Sequence, residues 1–163
     1  MLFRSDLGSL LPLGIALFFA ILGLIEWVQR KKVMNVDKNI LALGICYLLT
    51  FTIYAFFEFV VINRRPVLID GVLEASYPSS TTILSLVILI TCIDQVIIYI
   101  KNKYLKYFCI GLSGVYALFL VVGRIVSGVH WASDIIGAML ISAALIFTYF
   151  GLKFLLIEKL KTE

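Results

Sequence analysis

Five long apolar segments, separated by short polar connections, dominate the sequence. They cover approximately residues 9–28, 40–62, 80–100, 107–123 and 132–157. A bilayer core about 30 Å thick requires roughly 20 apolar residues in each spanning helix, so all five segments are candidate spans. The pattern predicts an all-α, polytopic membrane helix bundle of about five transmembrane helices, forming a single domain over residues 1–163.

The basic residues predict how this bundle is oriented. Ten of them, including all nine lysines, lie in the first connection, in the third connection and towards the C-terminal end. Because cytoplasmic segments of membrane proteins are enriched in Lys and Arg, we expect these segments to face the cytoplasm. The N-terminus is then outside and the C-terminus inside. The outer side carries only Arg4, Arg64, Arg65 and Arg124.

Composition agrees with this class and excludes others. The chain is 62% hydrophobic and 15% charged, with a mean hydropathy of +1.07, whereas a soluble domain is about half apolar and about a quarter charged. Charge this sparse also excludes a disordered chain and a nucleic-acid partner. The net charge of +4 is explained by lysines at a cytoplasmic lipid surface. Cys46, Cys92 and Cys109 lie inside predicted spans without metal-type spacing, which indicates packing residues.

The outer connection before the fifth segment contains His130, the only histidine in the chain, and Asp134. Four residues apart at a helix start, the two side chains share one face. A carboxylate there can accept one imidazole N–H, fix the tautomer and leave the other ring nitrogen basic. A helix cap is the simpler interpretation of the pair.

Groups that suit phosphate binding lie at the outer ends of the neighbouring helices. Ser79 and Ser80 follow a proline at a helix start, where free backbone N–H groups favour anions. Arg65 and Arg124 can contact phosphate oxygens in a bidentate manner. Taken singly, each feature has a simpler explanation. The arginines are explained by anchoring at lipid headgroups, and the two serines after a proline are explained by an ordinary helix start. The topology, which is derived from the lysines alone, favours a common site because it places all of these segments on one side.

In combination these segments resemble the type 2 phosphatidic acid phosphatase superfamily, the membrane lipid phosphatases related to vanadium haloperoxidases. The three family motifs are Lys-x6-Arg-Pro, Pro-Ser-Gly-His and Ser-Arg-x5-His-x3-Asp. The resemblance covers roughly residues 40–155. The residues that carry it, in the family's order, are Arg65-Pro66, Pro78-Ser79 and Gly123-Arg124-x5-His130-x3-Asp134.

The resemblance implies hydrolysis of a phosphorylated lipid, of the prenyl diphosphate or phosphatidate type, at the outer face of the cell membrane. His130 is the expected nucleophile that forms a phosphohistidine, and Asp134 is expected to orient it. No metal or other cofactor is implied, and a haem bound to His130 would lack a second ligand. The expected phosphate-binding residues are Arg65, Ser79, Ser80 and Arg124.

Two positions depart from the family pattern. The first-motif lysine is Glu58 here, and the second-motif histidine, which protonates the leaving group, is Thr81. General acid help is typically worth ~10²–10⁴-fold. Three explanations stay open: a leaving group that needs no acid, as in a diphosphate lipid; an acid supplied by Glu58, Asp70 or Glu74; or a degenerate relative that binds lipid phosphates in transport or regulation. A simpler role for Glu58 is an ion pair with Arg65, two helical turns further along the same face.

Overall fold

The computed structural model describes residues 2–69 and 71–158, with side chains from residue 8 onward. The predictions that involve Asp70, Lys159, Lys161 and the side chain of Arg4 therefore lie outside the described residues. Five helices follow one another along the chain, with a short 3₁₀ turn at Val33–Asn35 between the first two. They are α1 (Leu2–Arg30), α2 (Lys38–Phe59), α3 (Ser80–Tyr99), α4 (Lys103–Val126) and α5 (Ala132–Glu158).

All five helices are long and apolar enough to cross a membrane, and the described residues form no β-strand. The prediction of an all-α bundle with five membrane-spanning helices is confirmed. The boundary that differs most is the start of the first helix, which is Leu2 and not residue 9, and the end of the second span and the start of the fourth also differ. Helix α4 begins at Lys103, four residues before the apolar segment, because the Asn102 side chain caps it by accepting hydrogen bonds from the backbone N–H groups of Tyr104 and Leu105.

Helix α2 ends at Phe59, although the apolar segment continues to Ile62. The three following residues, Val60, Val61 and Ile62, are β-branched and are weaker helix formers than Leu or Ala. They lead into an antiparallel bridge between Arg64 and Ala75. The apolar segment is therefore longer than the helix, and hydropathy alone does not predict where α2 ends.

Helix α3 forms the centre of the bundle and packs against each of the other four helices. Its Val87 and Ile88 are completely buried and join Leu43 of α2 and Ala138 of α5 in the main apolar cluster. The small Ala138 side chain lets two helix backbones approach closely. Large apolar side chains such as Phe119 cover the outward faces of the other helices, as contact with lipid tails requires.

Polar contacts join the connections at each end of the bundle. At one end, the Tyr99 hydroxyl at the end of α3 donates to Asp37, which precedes α2, at 2.7 Å. At the other end, the Trp131 indole N–H donates to the backbone oxygen of Arg64 at 2.8 Å. The α2–α3 and α4–α5 connections therefore lie together, at the end of the bundle opposite the described lysine-rich connections.

The α2–α3 connection, residues 60–79, folds back on itself. The backbone N–H of Arg65 donates to the Glu74 oxygen at 3.1 Å, and that of Ser76 donates to the Asn63 oxygen at 2.9 Å. Near its tip, Gly71 adopts a φ of +81°, a conformation that favours glycine. This folded connection carries Arg65, Glu74 and Ser76 towards the starts of α3 and α5.

Candidate active site

Segments that are distant in sequence meet at the end of the bundle that carries the α2–α3 and α4–α5 connections. The backbone N–H of Ser79, just before α3, donates to the backbone oxygen of Asp134 in α5 at 3.2 Å. Arg124, in the last turn of α4, donates to the Thr81 hydroxyl in the first turn of α3. The His130 ring contacts Ser76 of the folded connection. The sequence prediction that these segments share one end of the bundle agrees with this arrangement.

His130 is held through a single ring nitrogen. Its Nδ1 lies 3.1 Å from the backbone oxygen of Ser76, 3.3 Å from the Ser76 hydroxyl and 3.6 Å from Asp134 Oδ2. A carbonyl oxygen can only accept a hydrogen bond, so Nδ1 carries the proton in the neutral ring. Among the described residues, no hydrogen-bond partner lies at Nε2, which therefore keeps its lone pair. The geometry assigns the tautomer that a nucleophilic Nε2 requires.

Asp134 is completely buried and performs two tasks. Its Oδ2 accepts the backbone N–H of Trp131 at 2.9 Å, where Trp131 is the residue before α5 and Asp134 is the third residue of that helix. A carboxylate that reaches back three residues to the N-cap N–H is half of a capping box. The same Oδ2 accepts a hydrogen bond from the Ser76 hydroxyl. The helix-cap interpretation therefore describes a contact that is present, whereas the expected hydrogen bond from the imidazole to Asp134 is not formed: Nδ1 lies 3.6 Å from Oδ2, and the Ser76 backbone oxygen is its acceptor.

The surroundings of His130 lower its pKa to about 4, from an ordinary value of about 6.5. Burial is the largest cause, followed by the positive charges of Arg65 and Arg124. The Asp134 carboxylate and the hydrogen bond to Ser76 act in the opposite direction and do not compensate. The imidazole is therefore neutral at neutral pH, which is the form that can attack an electrophile.

A cavity of about 310 Å³ opens beside His130. Its walls combine aromatic rings from α2 with polar groups from the folded connection and from the start of α3. The polar and charged residues that line it are Glu58, Arg65, Glu74, Ser76, Ser80 and His130, together with the tyrosines Tyr54 and Tyr77. Such a mixture of one apolar wall and convergent polar groups is typical of a small-molecule site.

Arg65 lines this cavity but does not pair with Glu58. Its Nε lies 3.2 Å from Glu74 Oε2. The expected Glu58–Arg65 pair along one helical face is wrong, because α2 ends at Phe59 and Arg65 belongs to the non-helical connection. Glu58 is left exposed at the cavity wall, so both carboxylates proposed as acids within the described residues, Glu58 and Glu74, border the same space.

The two serines at the start of α3 lie in different places. Ser79 is completely buried, its hydroxyl pairs with that of Thr82 at 2.9 Å, and its backbone N–H is used by Asp134. It does not line the cavity, whereas Ser80 does. Of the two predicted phosphate ligands, Ser80 has the access that a ligand needs.

Arg124 and Thr81 form a buried pair behind His130. Both side chains are more than nine-tenths buried, and neither lines the cavity. The charge of Arg124 nevertheless reaches the imidazole, whose pKa it lowers. Arg124 in this structure therefore acts on the imidazole at a distance, and Arg65 is the guanidinium at the cavity wall.

Ser76 is a site residue that sequence reasoning missed. It contacts both members of the His130–Asp134 pair, and its backbone oxygen fixes the tautomer. Nothing in its spacing distinguishes it from the neighbouring serines, because its position depends on how the connection 60–79 folds.

Comparisons of the chain with models of protein families, with curated proteins and with solved structures give no match. Within the residues that the structure describes, no group of three or more His, Cys, Asp or Glu side chains is arranged to hold a metal ion.

Proposed function

We propose that this protein is an integral membrane hydrolase that releases phosphate from a phosphorylated lipid at the outer face of the cell membrane, through a phosphohistidine on His130. The observation that carries the proposal is the fixed tautomer of a neutral, cavity-lining imidazole, with its Nδ1 proton donated to the Ser76 backbone oxygen and the Asp134 carboxylate 3.6 Å from Nδ1. The motif resemblance to type 2 phosphatidic acid phosphatases supports the same chemistry.

In the first step, the Nε2 lone pair attacks the terminal phosphorus of the lipid. A new N–P bond forms as the bond from phosphorus to the departing oxygen breaks, and that oxygen keeps the electron pair. Arg65 at the cavity wall offsets the charge on the phosphoryl oxygens, and Ser80 can donate a further hydrogen bond. Asp134, through its position beside Nδ1, stabilises the positive charge that the ring acquires.

In the second step, water attacks the phosphohistidine. The N–P bond breaks, Nε2 regains its lone pair and inorganic phosphate leaves. The water is deprotonated as it attacks, and Glu58 or Glu74 at the cavity wall can take that proton. A diphosphate lipid suits this site, because the group expelled in the first step is a phosphate monoester, a far better leaving group than an alkoxide.

A second candidate function is binding of lipid phosphates without hydrolysis. The observation that favours it is the Arg124–Thr81 hydrogen bond, because Thr81 stands where the resemblance has the acid imidazole and the chain has no other histidine to replace it.

The decisive experiment measures phosphate release by the purified protein from a prenyl diphosphate and from phosphatidate. We expect His130→Ala to lower the rate by at least ~10³-fold, because it removes the nucleophile. Ser133→Ala is the matched control, since Ser133 is an exposed residue in the first turn of α5 that lies outside the cavity. Labelling with phosphate-labelled substrate should yield an acid-labile phosphoprotein in the wild type alone.

Equal and slow phosphate release by the wild type and by His130→Ala would contradict the hydrolase. Saturable binding of the same lipids without turnover would then favour the non-catalytic function.

A further inference from the structure

A groove between α1 and α2 lies apart from the His130 cavity. It has a volume of about 960 Å³, and all of its lining residues are uncharged. Buried side chains, among them Ala16 and Leu43, form its floor. Exposed side chains such as Leu17 and Leu48 form its rim, so the groove opens towards the surrounding lipid.

One face of α2 joins this groove to the His130 cavity. Tyr47 and Phe51 line the groove, and Tyr54 and Glu58 line the cavity. The spacings between them are four, three and four residues, which place all four side chains on one side of the helix. A lipid whose phosphate lies beside His130 can therefore lay its tail along this face of α2 towards the groove.

The groove reaches deeper than the tail of an ordinary outer-leaflet lipid. From Glu58 at the cavity to Ile40 at the far end of the groove, α2 rises about 27 Å at 1.5 Å per residue. The hydrocarbon core is about 30 Å thick, so the tails of one leaflet fill about half of that depth. A tail that is anchored beside His130 and reaches Ile40 must be longer than one leaflet.

We propose that the α1–α2 groove binds the tail of the lipid phosphate and selects one long chain, of the polyprenyl type, over the shorter paired tails of a diacyl lipid. This inference rests on the proposed function for the position of the phosphate. It adds a tail-binding site made of residues that take no part in the chemistry. Selectivity arises from packing contacts along the groove, because the tail leaves one apolar medium for another.

Gly44 supplies a way to fill the groove. It lines the groove, and a Cβ added there would meet no heavy atom within 4 Å. Gly111 in α4 has equally open surroundings and does not line the groove. Gly44→Phe and Gly111→Phe are therefore a filling variant and its matched control.

The test compares farnesyl diphosphate, whose short tail remains in the outer half of the membrane, with a polyprenyl diphosphate whose tail exceeds one leaflet. Binding is measured in the His130→Ala background as a shift in Tm, and kcat/KM is measured in the active protein. We expect the wild type to prefer the long tail and Gly44→Phe to reduce that preference roughly fivefold by removing tail contacts. Gly111→Phe should keep the wild-type preference.

The groove assignment would be overturned if Gly44→Phe left the long-tail preference unchanged. It would also be overturned if the His130→Ala protein with Gly44 intact bound the two tails equally. If Gly44→Phe does not fold, Leu17→Trp narrows the same groove from α1 and is judged by the same criterion. Absence of phosphate release from both diphosphates would contradict the hydrolase. The binding comparison in His130→Ala does not depend on turnover, so the two failures are distinguishable.

Discussion

His130 lies in surroundings that oppose its charged form. Burial and two nearby guanidiniums act together, and the Asp134 carboxylate at 3.6 Å does not reverse their effect. Because the native state holds the ring neutral while the unfolded chain binds a proton below about pH 6.5, acid also destabilises the fold as the pH falls from about 6.5 towards 4. A single residue thus couples the protonation state of the candidate site to the acid stability of the protein.

We predict that His130 titrates with a pKa near 4, so the acid limb of kcat/KM lies near pH 4 and not near 6.5. His130 is the only histidine in the chain, so selectively labelled protein gives one imidazole NMR signal, whose titration reports this value without any need for activity. Arg65→Gln should raise the pKa, since Arg65 contributes to lowering it.

Arg64→Gln is the control for that titration, because the neighbouring guanidinium is not among the causes of the shift and instead donates to the Leu73 backbone oxygen. A wild-type pKa near 6.5, or equal effects of the two arginine variants, would contradict the prediction.

At the level of single residues, the pair His130 and Asp134 could be predicted from the sequence. The two residues are four positions apart at one helix start, so the local helix geometry alone brings their side chains together. The partners that fix the imidazole were not predictable in this way. Ser76 is separated from His130 by 54 residues, and its contact depends on the fold of a connection that has no periodic pattern. For the same reason, the sequence could not predict that Ser80 lines the cavity and that Ser79 does not.

Among the helices, α5 carries a glycine that packs against a ring of the cavity wall. Gly137 lies one turn below Asp134, and the Tyr77 ring packs directly over it. A Cβ at Gly137 would lie 2.5 Å from the Tyr77 ring and hydroxyl, so any larger residue must displace that ring. Tyr77 in turn packs edge-on against Phe57, and both line the cavity.

We predict that Gly137→Ala lowers phosphate release about tenfold or more, because moving Tyr77 reshapes the cavity and misplacing a substrate by about 1 Å can cost ~10²-fold. Gly151→Ala, on the same helix, is the matched control, since its added Cβ meets nothing within 4 Å. Phosphate-release rates and Tm are measured for both variants. An equal rate in Gly137→Ala and Gly151→Ala would show that Tyr77 does not shape the site.

Two helix starts were predictable to the residue. Helices α3 and α5 begin at the expected residues, 80 and 132, because capping and proline signals lie in the sequence itself. The end of α2 was not predictable from hydropathy, since Val60, Val61 and Ile62 are as apolar as the helix and leave it for the folded connection. The misplaced helix end matters for the candidate site. The prediction put Arg65 on the same helical face as Glu58, whereas in the structure Arg65 lies beside Glu74.

Across the whole molecule, charge is divided between the two ends of an apolar bundle. The described lysines occupy the α1–α2 and α3–α4 connections, the first turns of α2 and α4, and the last turns of α5, where Lys153 pairs with Asp94 at 2.7 Å. The opposite end carries His130, Arg64, Arg65 and Arg124. This division could be predicted from the sequence, since it requires only the number of spans and the positions of the lysines.

The same division predicts which end faces the cytoplasm. Lys103 and Ser133 are both exposed at the starts of their helices, α4 and α5. They lie at opposite ends of the bundle, since the 24 residues of α4 rise about 36 Å. In a chain whose three native cysteines are replaced, we expect a membrane-impermeant maleimide to label Ser133→Cys in intact cells and to label Lys103→Cys only after permeabilisation. The reason is that translocating the lysine-rich connections is disfavoured, so they remain in the cytoplasm. The reverse labelling pattern would place His130 on the cytoplasmic side, and the phosphate would then be released inside the cell.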